Sequence, residues 1–126
     1  MIKLLDLAAV LIILACLTVN TNSQERIKFP KGESSATVEG GVERGGSHYY
    51  LVKASRNQWM VVTIMSLEDN AVFQIINKKT GDYLPGAGEE TDAKRWEGYL
   101  PSSGDYKIII GSIRGGCEYT LKVTIE

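Results

Sequence analysis

Residues Tyr119-Thr120-Leu121-Lys122-Val123-Thr124-Ile125 alternate without a break between apolar and polar side chains. A period of two sends Tyr119, Leu121, Val123 and Ile125 to one face and Thr120, Lys122 and Thr124 to the other, the pattern of a strand with one buried and one wetted side. Such a strand needs a second layer to cover it. From Arg26 onward the chain offers only further strands for that purpose. Residues 105–111 place Tyr106, Ile108 and Ile110 on one face, and Ile109 on the other marks a central position. Residues 59–65 are apolar on both faces apart from Thr63, which fits the middle of a sheet. Residues 49–54 and 71–76 complete the expected core. Residues 35–42 and 96–100 are weaker β-patterned runs, and 26–29 read as an edge strand. No stretch has a helical period. The breaks carry turn chemistry: Gly40-Gly41, Gly45-Gly46 and Gly115-Gly116 permit positive φ, and Lys79-Thr80-Gly81-Asp82 reads as a hairpin turn. The expectation is an all-β chain, a single antiparallel β-sandwich of about seven or eight strands with Greek-key or jelly-roll links.

The N-terminus reads as an export signal. Lys3 is followed by an uncharged apolar run, residues 7–17, well short of the about 20 residues that a helical bilayer crossing needs. Small polar residues, Thr21-Asn22-Ser23, come next, so residues 1–23 are expected to be a signal peptide and 24–126 the mature domain, periplasmic or secreted. Ile13-Leu14-Ala15-Cys16 also resembles a lipobox, which would anchor the protein in a membrane through Cys16. Either processing route leaves Cys117 without an intrachain partner, so no disulfide is expected, and Cys117 is read as a small buried apolar residue.

Charge and reactive residues restrict the function. Cutting after Ser23 removes Lys3 and Asp6, one charge of each sign, so the net charge stays at −1. Nucleic acid is therefore not expected as a partner, because neutralising phosphates requires a cationic face. His48 is the only histidine. Any Ser-His-Asp triad would have to be built around it, no nucleophile elbow occurs, and an exposed loop histidine is the simpler reading. One histidine and one mature cysteine make no recognisable zinc site. Glu89, Glu90 and Asp92 share an oxygen-rich loop but lack EF-hand spacing for calcium. Lys94 and Arg95 lie beside them to offset their charge. The chain is thus expected to bind without catalysing, as a monomer with no cofactor and no metal.

A family resemblance rests on particular residues. Lys31-Gly32-Glu33-Ser34-Ser35-Ala36, then Tyr50, Ala54 and Gln58, then Leu100-Pro101-Ser102-Ser103-Gly104-Asp105-Tyr106, and finally the strand from Tyr119, resemble the periplasmic inhibitors of goose-type (g-type) lysozyme. That family shares its sandwich with bacterial pre-peptidase C-terminal domains. The resemblance covers residues 26–125. It implies a protein partner, a lysozyme whose active-site cleft is occluded. In several kinds of lysozyme inhibitor a Ser-Gly-x-Tyr or Ser-Gly-x-x-Tyr loop contributes to the part that enters the cleft, and this maps onto Ser103, Gly104 and Tyr106. Arg114 is the candidate cation for the catalytic carboxylates, since charge-assisted bonds are the stronger class. Tyr49 is a further interface candidate if Tyr50 is the buried member of the pair. The same motif also fits a sandwich corner, with Tyr106 facing the core beside Ile108 and Ile110. A general envelope-binding module for protein or glycan is the alternative function. Trp59 and Trp96 are expected in the core.

Overall fold

The period-two runs become strands with little change of boundary. The computed structural model describes residues 25–126, so the export signal, the cleavage site and Cys16 lie outside the described residues. The strands are β1 (Glu25–Arg26), β2 (Ser35–Val42), β3 (His48–Ala54), β4 (Trp59–Ser66), β5 (Ala71–Asn77), β6 (Arg95–Tyr99), β7 (Gly104–Ser112) and β8 (Cys117–Ile125). They form two four-stranded sheets, in the orders β1-β3-β7-β5 and β2-β8-β4-β6. All pairs are antiparallel except β1 with β3. The two runs expected in mid-sheet, β4 and β7, are interior strands.

Successive strands alternate between the sheets, so each connection arches across the sandwich. This is the jelly-roll order. The strand that would follow β5 in its own sheet is reduced to a segment touching β5 at two bridges, Ile76 with Tyr83 and Phe73 with Ala93. The Lys79–Asp82 turn makes the first of these contacts possible, with Asn77 N–H donating to Asp82 O at 2.8 Å.

The inward faces interlock. Tyr50, Val52, Phe73, Ile75 and Ile108 from one sheet meet Met60, Val62, Leu121 and Val123 from the other, all essentially inaccessible. Burying each such side chain is worth about 1.5–3 kcal/mol, which lets the sandwich stand with no disulfide among the described residues.

Three sequence expectations change, and the burial of Trp96 is met. Gly40-Gly41 is not a turn but part of β2, paired with Tyr119 and Glu118. Gly40 is there because the Tyr119 and Tyr50 rings occupy the space a Cβ would fill. Trp96 is buried, with its indole N–H on Pro85 O at 2.8 Å. Trp59 is only half-buried, edge-on to exposed Tyr99. Cys117 is likewise part-buried, packed against the rim of the core.

The start of the described chain is tied down by charge. Arg26 donates through both terminal guanidinium nitrogens to the two Asp105 carboxylate oxygens, at 2.8 and 2.9 Å. That bond holds the Asp105 carboxyl below its ordinary range, against a smaller opposing effect of burial. A folded pKa below the unfolded value means the contribution is present above about pH 4 and is lost as pH falls through the folded pKa. The melting-temperature difference between wild type and Arg26→Gln should therefore close on acidification below pH 4. It should also shrink in high salt, because the pair is exposed.

Candidate functional site

The strand alternation decides where each candidate side chain lies. Ser103 immediately precedes β7 and Arg114 follows it, so a nine-residue strand, roughly 30 Å at 3.3 Å per residue, separates them. They occupy opposite ends of the sandwich. Ser103, Gly104 and Tyr106 are brought together, and Arg114 is not with them.

The Ser103 end is a closed corner. Tyr106 is 0% exposed, and its hydroxyl donates to Ser102 O at 2.6 Å. Ser102 Oγ accepts from Asn77 Nδ2 at 3.0 Å, and Ser103 Oγ accepts from the Arg56 amide at 2.8 Å. Gly104 has φ 140°, where L side chains are strained. Tyr106 thus holds the corner from inside. Tyr106→Phe should cost about 1.5 kcal/mol, since it leaves Ser102 O short of a buried partner, and a urea titration will read this as a lower midpoint.

The other end has three arches, at residues 43–47, 67–70 and 113–116. Ile113 to Gly116 are exposed. Asn70, buried beneath this arch, donates its amide protons to Arg114 O and Gly116 O at 3.0 and 3.1 Å. Among the described residues the Arg114 guanidinium itself makes one hydrogen bond, to Glu68 O. Arg114 is otherwise exposed. The neighbouring arch is equally fixed: Ser66 Oγ accepts the amides of Asn70 and Ala71, both at 3.0 Å. Leu67 is consequently held fully exposed, with Met65 (72%) and Ile113 (45%) also in solvent. Preorganised apolar side chains around an arginine are what a protein-binding patch requires. Two adjoining grooves, about 790 and 750 Å³, flank Leu67 along β2 and β8.

Tyr49 sits on the outer face of its sheet, paired with Ile109 and 36% exposed, with the Lys107 amine 4.3 Å from the ring centre. It lies in the half of the molecule nearer Arg114.

His48 is not an exposed loop residue. It opens β3, half-buried, with Nδ1 2.6 Å from the Tyr119 hydroxyl, which is 2.7 Å from the Tyr50 hydroxyl. Burial, then the bond with Tyr50, pushes the Tyr119 hydroxyl far above a phenol's ordinary range. Burial also raises Tyr50. The phenols are therefore neutral and serve as a structural relay between sheets. In the oxygen-rich loop, Glu89 accepts from the Tyr83 hydroxyl at 2.8 Å. Lys94 and Arg95 do not offset that loop: they pair with Asp69 and Glu97. Among the described residues no group of three or more His, Cys, Asp or Glu side chains could hold a metal.

Sequence reasoning missed a charge asymmetry. Arg26, Lys28, Lys31, Lys53, Arg56, Lys78 and Lys79 outnumber Glu33, Asp82, Asp105 and Glu126 around the Ser103 end. Glu43, Glu68, Asp69 and Glu118 outnumber Arg44, Lys94 and Arg114 at the other. The net charge of −1 conceals both, because only the order of the arches sorts the charges by end.

What the fold and these ends define is a jelly-roll sandwich with its reactive-looking side chains engaged in packing and its exposed features suited to contact. No family model matches the chain, and no curated protein sequence does. Solved structures do. The chain is similar to Aeromonas hydrophila PliG, a periplasmic lysozyme inhibitor of g-type lysozyme, at 27% identity and a TM-score of 0.68, covering 82% of this chain and 96% of that one. It is similar to Salmonella Typhimurium PliG at 18% identity and a TM-score of 0.66, covering 84% and 100%. The pre-peptidase C-terminal domain of a Bacillus anthracis collagenase shares the fold, at 12% identity and a TM-score of 0.55, covering 85% and 100%. Both resemblances read from the sequence are thus met in three dimensions.

Proposed function

We propose that this protein is a non-enzymatic, exported inhibitor of g-type lysozyme that occludes the enzyme's active-site cleft. The observation that carries this reading is the similarity to A. hydrophila PliG over nearly the whole of that chain, at 27% identity. The periplasm is the corresponding location. Residues 1–23 would be the export signal, with lipidation at Cys16 as the other processing route.

The five candidate residues take different parts. Clefts that hydrolyse glycosidic bonds hold a pair of carboxylates. The side chain that best answers a carboxylate is an exposed arginine with guanidinium donors to spare. Arg114 meets that description, on an exposed arch fixed from below by Asn70. Ile113 and Leu67 supply apolar contact around it, and Tyr49 lies on the same half of the molecule. Ser103, Gly104 and Tyr106 build the opposite corner, where the hydroxyls of Ser103 and Tyr106 already serve the fold.

The test is a panel of goose-, chicken- and invertebrate-type lysozymes assayed with micromolar protein. Inhibition of the goose type in a one-to-one complex is expected. Activity of all three left intact would end the proposal.

A further inference from the structure

The arginine arch does not stand alone. Beside it runs a trough, the two grooves joined at Gly41, Leu67 and Glu118. Its origin is in the sequence: Gly41 takes the outward position next to Glu39 in β2, paired with Glu118, and leaves no side chain there. Four carboxylates line it, Glu39, Glu43, Glu68 and Glu118. None of them forms an ion pair among the described residues. Leu67 and Met65 supply its apolar part. Asn70, 1% exposed, borders it, and Asn70 Oδ1 accepts no hydrogen bond from the described residues. Negative charge and exposed aliphatic carbon therefore meet in one depression, bordered by the buried, unanswered Asn70 Oδ1 and continuous with Arg114 through Glu68.

We infer that this trough seats a basic, apolar-bearing strip of the partner enzyme's surface, beside the acidic cleft that receives Arg114. The inference rests on the lysozyme reading and adds to it the chemistry of the second contact. The interface is then of mixed sign: the arginine answers carboxylates in the cleft, and the trough answers cations on its rim. Unpaired charges of this kind govern the rate of encounter and the choice of partner more than the lifetime of the complex. An acidic trough also penalises a lysozyme whose cleft is bordered by carboxylates alone, since like charges would face each other.

Cys117 lines the trough and provides a probe of it. The full-length protein is mixed with a saturating g-type lysozyme and treated with a maleimide. Modification is then read by mass spectrometry on the peptide carrying Cys117. Inhibition together with at least tenfold slower alkylation in the complex supports the inference. Inhibition with an unchanged alkylation rate overturns it and leaves the lysozyme reading intact. Absence of inhibition overturns both. Should Cys117 react too slowly in the free protein, the double variant Glu43→Gln/Glu118→Gln decides. An on-rate lowered about tenfold at low salt, with a flatter salt dependence, is the supporting result. An unchanged on-rate and salt dependence in an inhibitory variant overturns the trough.

Discussion

Arg114→Ala is expected to weaken inhibition of a g-type lysozyme about a hundredfold, equivalent to about 2.7 kcal/mol. The size follows from the chemistry: a desolvated arginine bonded to carboxylates at the centre of an interface is the kind of side chain whose truncation is costly. Stability should hardly move. The Arg114 side chain contributes one exposed hydrogen bond to Glu68 O, while the arch is held by its main-chain carbonyls on Asn70. Arg114→Lys should fall between the two, because an ammonium keeps the charge and loses the fork. Ser103→Ala serves as the contrast at the other end, with an expected change of less than threefold by the median cost of a peripheral contact. If Ser103→Ala cost the hundredfold and Arg114→Ala nothing, the inhibitory end would be the Ser103 corner. Inhibition constants from lysis assays measure both.

Gly40→Val should be the most damaging single change to folding, by about 3 kcal/mol. A Cβ at residue 40 would sit 2.5 Å from the Tyr119 hydroxyl oxygen, 2.8 Å from Tyr119 Cζ and 3.1 Å from the Tyr50 hydroxyl oxygen. Those rings cannot step aside cheaply. Tyr119 is wedged between His48 and Tyr50 by hydrogen bonds of 2.6 and 2.7 Å, in the layer between the sheets. Gly41→Ala is the matched control, since its Cβ would meet only Cys117 O at 3.7 Å. Its effect should stay within about 1 kcal/mol, the scale of an exposed strand glycine. Equal destabilisation of the two variants in urea would show that strand propensity at residues 40 and 41 sets the cost, with the tyrosine packing contributing nothing.

The strands were legible because alternation is a local signal. Tyr119 to Ile125 announces its inward and outward residues by itself, and β8 keeps that assignment. The interior placement of β4 and β7 was readable for the same reason, from apolar residues on both faces. That signal also misled. Met65 has the same apolar character as Met60, yet Met60 is fully buried on the inward face while Met65 stands in solvent on the outward face, beyond Thr63 where pairing with β6 ends. A run that is apolar on both faces cannot reveal which of its ends lies beyond its neighbour.

The glycines were ambiguous for a related reason. Gly45 and Gly115 adopt positive φ, as expected of turns, whereas Gly40 makes room for rings that come from residues 50 and 119. Long-range packing of that sort leaves no trace in the neighbouring sequence. The candidate site was legible residue by residue but not as a constellation. Ser103 and Arg114 are close in sequence, and proximity along the chain suggested one surface. The intervening strand carries them to opposite ends, and the charge asymmetry between those ends emerges only when the arches are sorted in space.

The most direct test of cleft occlusion is steady-state kinetics of a g-type lysozyme on a soluble peptidoglycan oligomer, with this protein titrated in. Occlusion predicts an apparent KM that rises with inhibitor while kcat stays constant, with one inhibitor bound per enzyme. A kcat that falls at constant KM, or turnover that ignores the protein at every concentration, would contradict it.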